Sequence, residues 1–207
     1  MNKTIYILLT VYLTALFASN TLGLKLMPFV FGTHLSVAIF FFPIIFLLTD
    51  IVGEVYGRDV SKLFVRMGFI ATALFTVFNL IANIVPFESG FYLEDSYREV
   101  FGLSFRFALA SLVAFWVGEY QDVFAFFYFK TKLQGRFFLL RSFLSNIWSQ
   151  LIDSVVWFAI AYIGVMPLKT ILLTMIPWWI CKVLMGVFYS PLTLPVIRFL
   201  HKTKYAN

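Results

Sequence analysis

The stretch Arg141-Ser142-Phe143-Leu144-Ser145-Asn146-Ile147-Trp148-Ser149-Gln150-Leu151-Ile152-Asp153 decides how this chain is read. Its polar residues recur every three or four positions, the spacing that gathers side chains on one face of an α-helix. The residues that follow, Val155 to Val165, are largely apolar or small, so the same helix carries on across a bilayer rather than returning to water. A polar stripe on a membrane helix is costly against lipid and calls for a partner, a cavity or a substrate.

Working outward, 61% of the residues are hydrophobic and 13% charged, with a mean hydropathy of +0.91, more apolar surface than a soluble domain can hide. Apolar runs at 5–29, 33–52, 63–86, 104–129, 140–166 and 169–198 are each near the roughly 20 residues needed to cross hydrocarbon. They predict an all-α integral membrane protein with six transmembrane helices. Backbone groups in lipid must be hydrogen-bonded internally, and these continuous runs lack the alternation of barrel strands. Lys3 ahead of an apolar run with Ala15, Ala18 and Ser19 resembles a secretory signal, but apolarity resumes over Leu22 to Phe31, which favours an uncleaved first helix. The longest polar connection is 87–104, so residues 1–207 are expected to form a single transmembrane domain.

Basic residues set the expected orientation, because those beside short loops stay cytoplasmic. With the N-terminus inside, the inner segments hold Lys3, Arg58, Lys62, Arg66, Lys130, Lys132, Arg136, Arg141, Arg198, Lys202 and Lys204, against Arg98, Arg106 and Lys169 outside. Both termini are therefore expected in the cytoplasm. The net charge of +6 follows from this asymmetry and from attraction to anionic lipid, and does not point to nucleic-acid binding. With Cys181 alone there is no internal disulfide or cysteine-based metal cluster, and the cysteine reads as packing. No phosphate loop is present, so uphill transport would draw on an ion gradient or a separate motor subunit. His34 and His201 fall at helix ends near the membrane surface, and no cofactor or metal is expected.

The ionisable residues in the apolar runs carry the functional question. Asp50 and Glu54 lie i, i+4 at the inner end of the second helix, Glu119 and Asp122 lie i, i+3 in the fourth, and Asp153 is in mid-helix. Lys25 is expected in the outer part of the first helix and Lys182 near the middle of the last. A charge at the bilayer centre costs about 2.5 to 3.5 kcal/mol, so these groups must face inward and pair. At about 1.5 Å per residue, Asp153 lies roughly 18 Å from the inner end of its helix and Lys182 a similar distance from the outer end of its own. Both fall near the midplane, either as a structural ion pair or as a pair that exchanges with substrate or a proton. Asp50 and Glu54, beside Gly53, Gly57 and Arg58, read as structure and gating with Arg58 and Lys62, or as substrate contacts. Glu119 and Asp122 read as substrate ligands or as structural partners of Arg141 or Lys182. Ala15, Ser19 and Gly23 read as a small-residue packing stripe, and Asn20, one step off it, as a polar contact.

Four segments then carry a family likeness. Thr49-Asp50-Ile51-Val52-Gly53-Glu54-Val55-Tyr56-Gly57-Arg58 resembles the second-helix signature of the queuosine precursor transporter family, grouped among vitamin uptake transporters. Gly118, Glu119 and Asp122 resemble its G-Q-x-x-D pattern, with Glu119 where Gln is usual. Ser145-Asn146, Ser149-Gln150 and Asp153 resemble the polar face of its fifth helix, and Cys181-Lys182-Val183-Leu184 the lysine of its sixth. The likeness spans nearly the whole chain in order.

The resemblance implies no enzyme but a bacterial inner-membrane importer of 7-deazaguanines, the cyano or aminomethyl precursors or queuine, destined for transfer-RNA modification. Its partners would be that small molecule and the lipid bilayer, and a homo-oligomer is compatible with it. A deazaguanine presents a ring N–H beside an exocyclic amine, which one carboxylate can accept together, while Asn or Gln serves the carbonyl and pyrrole edges. The substrate-binding candidates are Asn20, Asp50, Glu54, Glu119, Asp122, Asn146, Gln150, Asp153 and Lys182, with Trp148, Trp157, Trp178 and Trp179 available for stacking. Two other classes fit less: the substrate-binding subunit of an energy-coupling-factor vitamin importer, which would copurify with an ATPase, and a membrane enzyme using Asp50 and Glu54, a thin metal signature without His or Cys.

Overall fold

The computed structural model describes residues 3–23, 25–28, 34–101 and 105–205. Helices α1 (Lys3–Leu22), α2 (Phe42–Val55), α3 (Arg58–Ile84), α4 (Glu94–Phe101), α5 (Phe105–Lys132), α6 (Phe138–Tyr162), α7 (Leu168–Tyr189) and α8 (Thr193–Tyr205) follow in that order. Among the described residues five segments are long and apolar enough to cross a membrane: Lys3–Leu22, Val37–Val55, Arg58–Ile84, Phe138–Tyr162 and Leu168–Lys202. At 28 residues α5 is longer than any of the first four, but Glu119, Gln121 and Asp122 lower the hydropathy of its centre.

Three of the expected runs are interrupted. The first does not continue to residue 29: α1 stops at Leu22, and Lys25 lies beyond it, exposed. Leu26–Pro28 forms strand β1 and His34–Ser36 strand β2, an antiparallel ribbon that satisfies these backbone groups without a helix. Ser36 ties it down: its hydroxyl donates to Gly23 O and accepts from Ala38 N at 3.1 Å. A 3-10 turn, Val37–Phe40, precedes α2, which carries Pro43 in its first turn, where a missing N–H is free of cost. The last run is likewise split by a 3-10 turn, Ser190–Leu192, from which α8 packs onto α2, with Ile197 and Leu200 buried in the same apolar cluster as Val55, Ile5 and Leu8. The long connection before α5 contains α4, whose Glu94 pairs with Arg98 at 2.9 Å.

The architecture is inverted relative to a soluble bundle. On α6, Arg141, Ser142, Ser145, Asn146, Ser149, Gln150, Asp153 and Ser154 are buried while Leu140, Trp148 and Val155 are exposed. On α3, Ile70, Leu74, Val77, Phe78 and Ile81 form an exposed apolar face suited to lipid. The apolar core joins α1, α2, α3 and α5 through Tyr12, Leu16, Ile45, Val52, Phe64 and Phe115. α2 and α3 meet at Gly57, whose φ of 94° suits glycine and makes the sharp turn between them.

Candidate functional site: a polar cavity and the acids behind it

α5 and α6 pack as a close antiparallel pair, and glycines set the spacing. A Cβ on Gly118 would stand 2.9 Å from the Asp153 Cβ, and one on Gly186 of α7 would stand 1.9 Å from Asn146 Nδ2. These contacts seat Asp153 and Asn146 on the wall of a cavity of about 1100 Å³ formed by α1, α2, α3, α5, α6 and α7. It occupies the half of the bundle that holds the C-terminal ends of α1 and α6 and the N-terminal ends of α2 and α7.

Five of the expected site residues line this cavity: Asn20, Asn146, Gln150, Asp153 and Lys182. Lys182 Nζ donates to Asp153 Oδ2 at 2.6 Å and lies 4.7 Å from the centre of the Phe42 ring. The depth argument that paired these two residues therefore agrees with their contact. Of the four tryptophans offered for stacking, Trp157 and Trp178 line the cavity, with Trp157 Nε1 donating to Ser111 Oγ at 3.0 Å. Trp179 instead donates to Ile147 O, and Trp148, 47% exposed, to Gln121. Cys181, expected as packing, is also on the wall.

Thr72, Ser111, Ser154, Tyr162 and Thr174 add to the polar lining, and no reading of the sequence singled them out. Ser154 is one turn beyond Gln150 on the same helix face, so the stripe could have been extended to it. Thr72 and Ser111 carry no such signal, because a lone hydroxyl in an apolar run is ordinary. The buried Gln150 Oε1, Ser154 Oγ and Thr72 Oγ1 have no hydrogen-bond partner among the described residues, polar atoms left for a ligand or water.

Asp50, Glu54, Glu119 and Asp122 do not line the cavity. Glu54 accepts two hydrogen bonds from the fully buried Arg141, each 3.1 Å, and one from Lys130 at 2.8 Å. The ion pairs expected with Arg58 and Lys62 are not the ones formed, because α2 turns Glu54 toward α5 and α6. Asp50 accepts from Ser142 Oγ. Asp122 accepts from Ser149 Oγ at 2.9 Å and Thr49 Oγ1 at 3.4 Å, and Glu119 from Tyr12 OH at 3.3 Å. Neither Glu119 nor Asp122 pairs with Arg141 or Lys182, which are taken by Glu54 and Asp153. α6 thus presents two adjacent stripes, Asn146, Gln150 and Asp153 toward the cavity and Ser142 and Ser149 toward the acids. Among the described residues no three of His, Cys, Asp and Glu converge as a metal ion would require.

A helical membrane protein with buried polar stripes around a central cavity is the form of a small-molecule transporter. The family described as "Putative vitamin uptake transporter" matches residues 36–196, and the chain belongs to this family. It is 27% identical over 164 residues to the "Probable queuosine precursor transporter" of Bacillus subtilis (strain 168), covering 78% of this chain and 71% of that protein. No solved structure gives a significant match.

Proposed function

We propose that this chain is a stand-alone, gradient-driven importer of queuosine precursors, 7-deazaguanines such as the 7-cyano or 7-aminomethyl base or queuine, for transfer-RNA modification. It would sit in a bacterial inner membrane with six spanning helices, α5 among them, and both termini in the cytoplasm. The single observation that carries the reading is Asp153: it lies on the cavity wall, and its one ion pair occupies Oδ2 alone. Oδ1 is then available to a ring N–H, with the exocyclic amine directed to Gln150 Oε1, while Asn146 or Lys182 meets the carbonyl. Trp157, Trp178 and Phe42 offer flat faces for the base. The likeness to the Bacillus protein and to the family of transporters supports the same class of cargo.

The test is uptake. A bacterium unable to make the precursor and lacking its own importer should regain queuosine in transfer RNA when this chain is expressed and low external 7-deazaguanine is supplied. Asp153→Ala and Asn146→Ala should abolish the gain at matched membrane levels. Cys181 offers a second readout, since its alkylation in membranes should slow when cyano-deazaguanine fills the cavity. Restoration only with an added ATPase partner would replace this reading by that of a binding subunit. Absence of uptake and of queuosine gain, with the protein well expressed, would end it.

A further inference from the structure

The buried acids outnumber the cations available to them. Lys130 and Arg141 are both spent on Glu54, and Lys182 on Asp153. Asp50, Glu119 and Asp122 are 2%, 0% and 1% exposed, and none has an ion-pair partner among the described residues. Hydroxyls from α1, α2 and α6 hold one oxygen or both of Asp50 and Asp122 and only one of Glu119. Glu119 Oε1 is buried with no hydrogen-bond partner among the described residues. An ionised carboxylate left this way is far more costly than a neutral one, so the atom points to a bound cation or proton.

The position of these groups suits coupling. Glu119 directly follows Gly118, against which Asp153 packs. Asp122 lies one turn further along α5 and shares Thr49 with α2, where Asp50 is the next residue. Asp50 in turn precedes Glu54 by one turn. The three acids therefore bridge the cavity wall and the Glu54–Arg141–Lys130 knot at the opposite end of the bundle. Besides one another, the titratable groups facing them are Tyr12 from α1 and Asp153 from α6, both toward Glu119, and Arg141 from α6, toward Asp50; Glu54, Lys130 and Lys182 stand one ion pair further off. α3 contributes Ser61, which donates to Thr49 O at 2.9 Å, and no ion pair. A metal cation needs several oxygens converging on one point, and these carboxylates are each held by separate hydroxyls.

We infer that the Asp50, Glu119 and Asp122 layer binds the coupling ion of this transporter and that the ion is a proton. This rests on the import reading above. A hydronium ion in the cavity gives its proton to one carboxylate and leaves as water, and on the far side the acid gives the proton back to water as hydronium; only O–H bonds form and break.

The experiment uses the full chain in proteoliposomes with radiolabelled 7-cyano-7-deazaguanine and a pH dye inside. An inward gradient of about one pH unit can support about tenfold accumulation per proton. The expected result is accumulation approaching that level, with internal acidification when substrate is added, and none driven by a sodium gradient. Glu119→Gln and Asp122→Asn should each lose accumulation above the equilibrium level. In the unaltered protein a hydrophobic carbodiimide, which reacts with protonated carboxyls, should label the three-acid layer and not Glu54. Sodium-driven accumulation, transport without acidification, variants that accumulate like wild type, or labelling confined to Glu54 would each overturn the inference. Counterflow exchange without any pH response defeats this inference alone, whereas absence of exchange defeats the import reading with it.

Discussion

At one end of the bundle Glu54 is held by three donors from two helices, whereas at the cavity Asp153 is held by one donor from Lys182. The first site is closed. Arg141 also donates to Gly135 O and lies against Phe126 and Phe138, so both terminal nitrogens of its fork are used, while its buried Nε has no hydrogen-bond partner among the described residues. The second is open, because Lys182 is a point charge on a cavity wall and Asp153 keeps an oxygen for another donor. Both join α6 to a neighbour by a carboxylate and a cation, and the number of further contacts separates a structural tie from a ligand site. Burial alone would not, since the Asp153 and Lys182 side chains are only 7% and 12% exposed.

The largest test of this contrast is Arg141→Ala. Removing a buried charge from a pair costs about 3 to 5 kcal/mol, so the protein should lose most of its folded yield or unfold at clearly lower temperature in detergent. Arg141→Lys should recover only part of this, because an ammonium cannot fork. A normally stable Arg141→Ala protein would break the contrast.

Asp153→Asn should behave differently, with fold retained and uptake lost. Cavity water can solvate the orphaned Lys182, so the stability cost should fall below that of Arg141→Ala while labelled-base uptake drops at least about tenfold, about 1.4 kcal/mol in binding terms. Adding Lys182→Met should recover stability non-additively. Strictly additive effects in a thermal-unfolding cycle would argue against the pair.

Gly186→Ala sharpens the comparison at the cavity wall. The new methyl would meet Asn146 Nδ2 at 1.9 Å, and relief by turning Asn146 away should cost about 1 to 3 kcal/mol. A raised KM for uptake with near-normal folding is the expected signature, and unchanged transport would remove Asn146 from the site. The smallest effect belongs to Lys130→Met. With Lys130 29% exposed at the side chain and Arg141 still forking Glu54, the loss should be under about 1 kcal/mol in thermal unfolding.

Parts of this were legible in the residues. The buried face of α6 follows from three- and four-residue spacing, and the Asp153–Lys182 contact from counting turns along two helices. The ribbon between α1 and α2 was not legible, because Leu26–Pro28 is as apolar as a helix and hydropathy does not distinguish helix from short strand. The split at Ser190–Leu192 has a cue in Pro191 and Pro195, which an apolar run drawn from 169 to 198 passes over.

The sequence by itself determined the membrane class, the polar stripe and the depth of its charges, since periodicity and rise per residue are local properties of a helix. Only the tertiary structure decided that Glu54 takes Arg141 and Lys130 rather than Arg58 and Lys62, that Asp50, Glu119 and Asp122 take hydroxyls alone, and that Thr72 and Ser111 reach the cavity. Those outcomes depend on how far each helix is rotated and slid against its neighbours. Side-chain volumes across several interfaces set that rotation and register together, and no single stretch of chain contains the information.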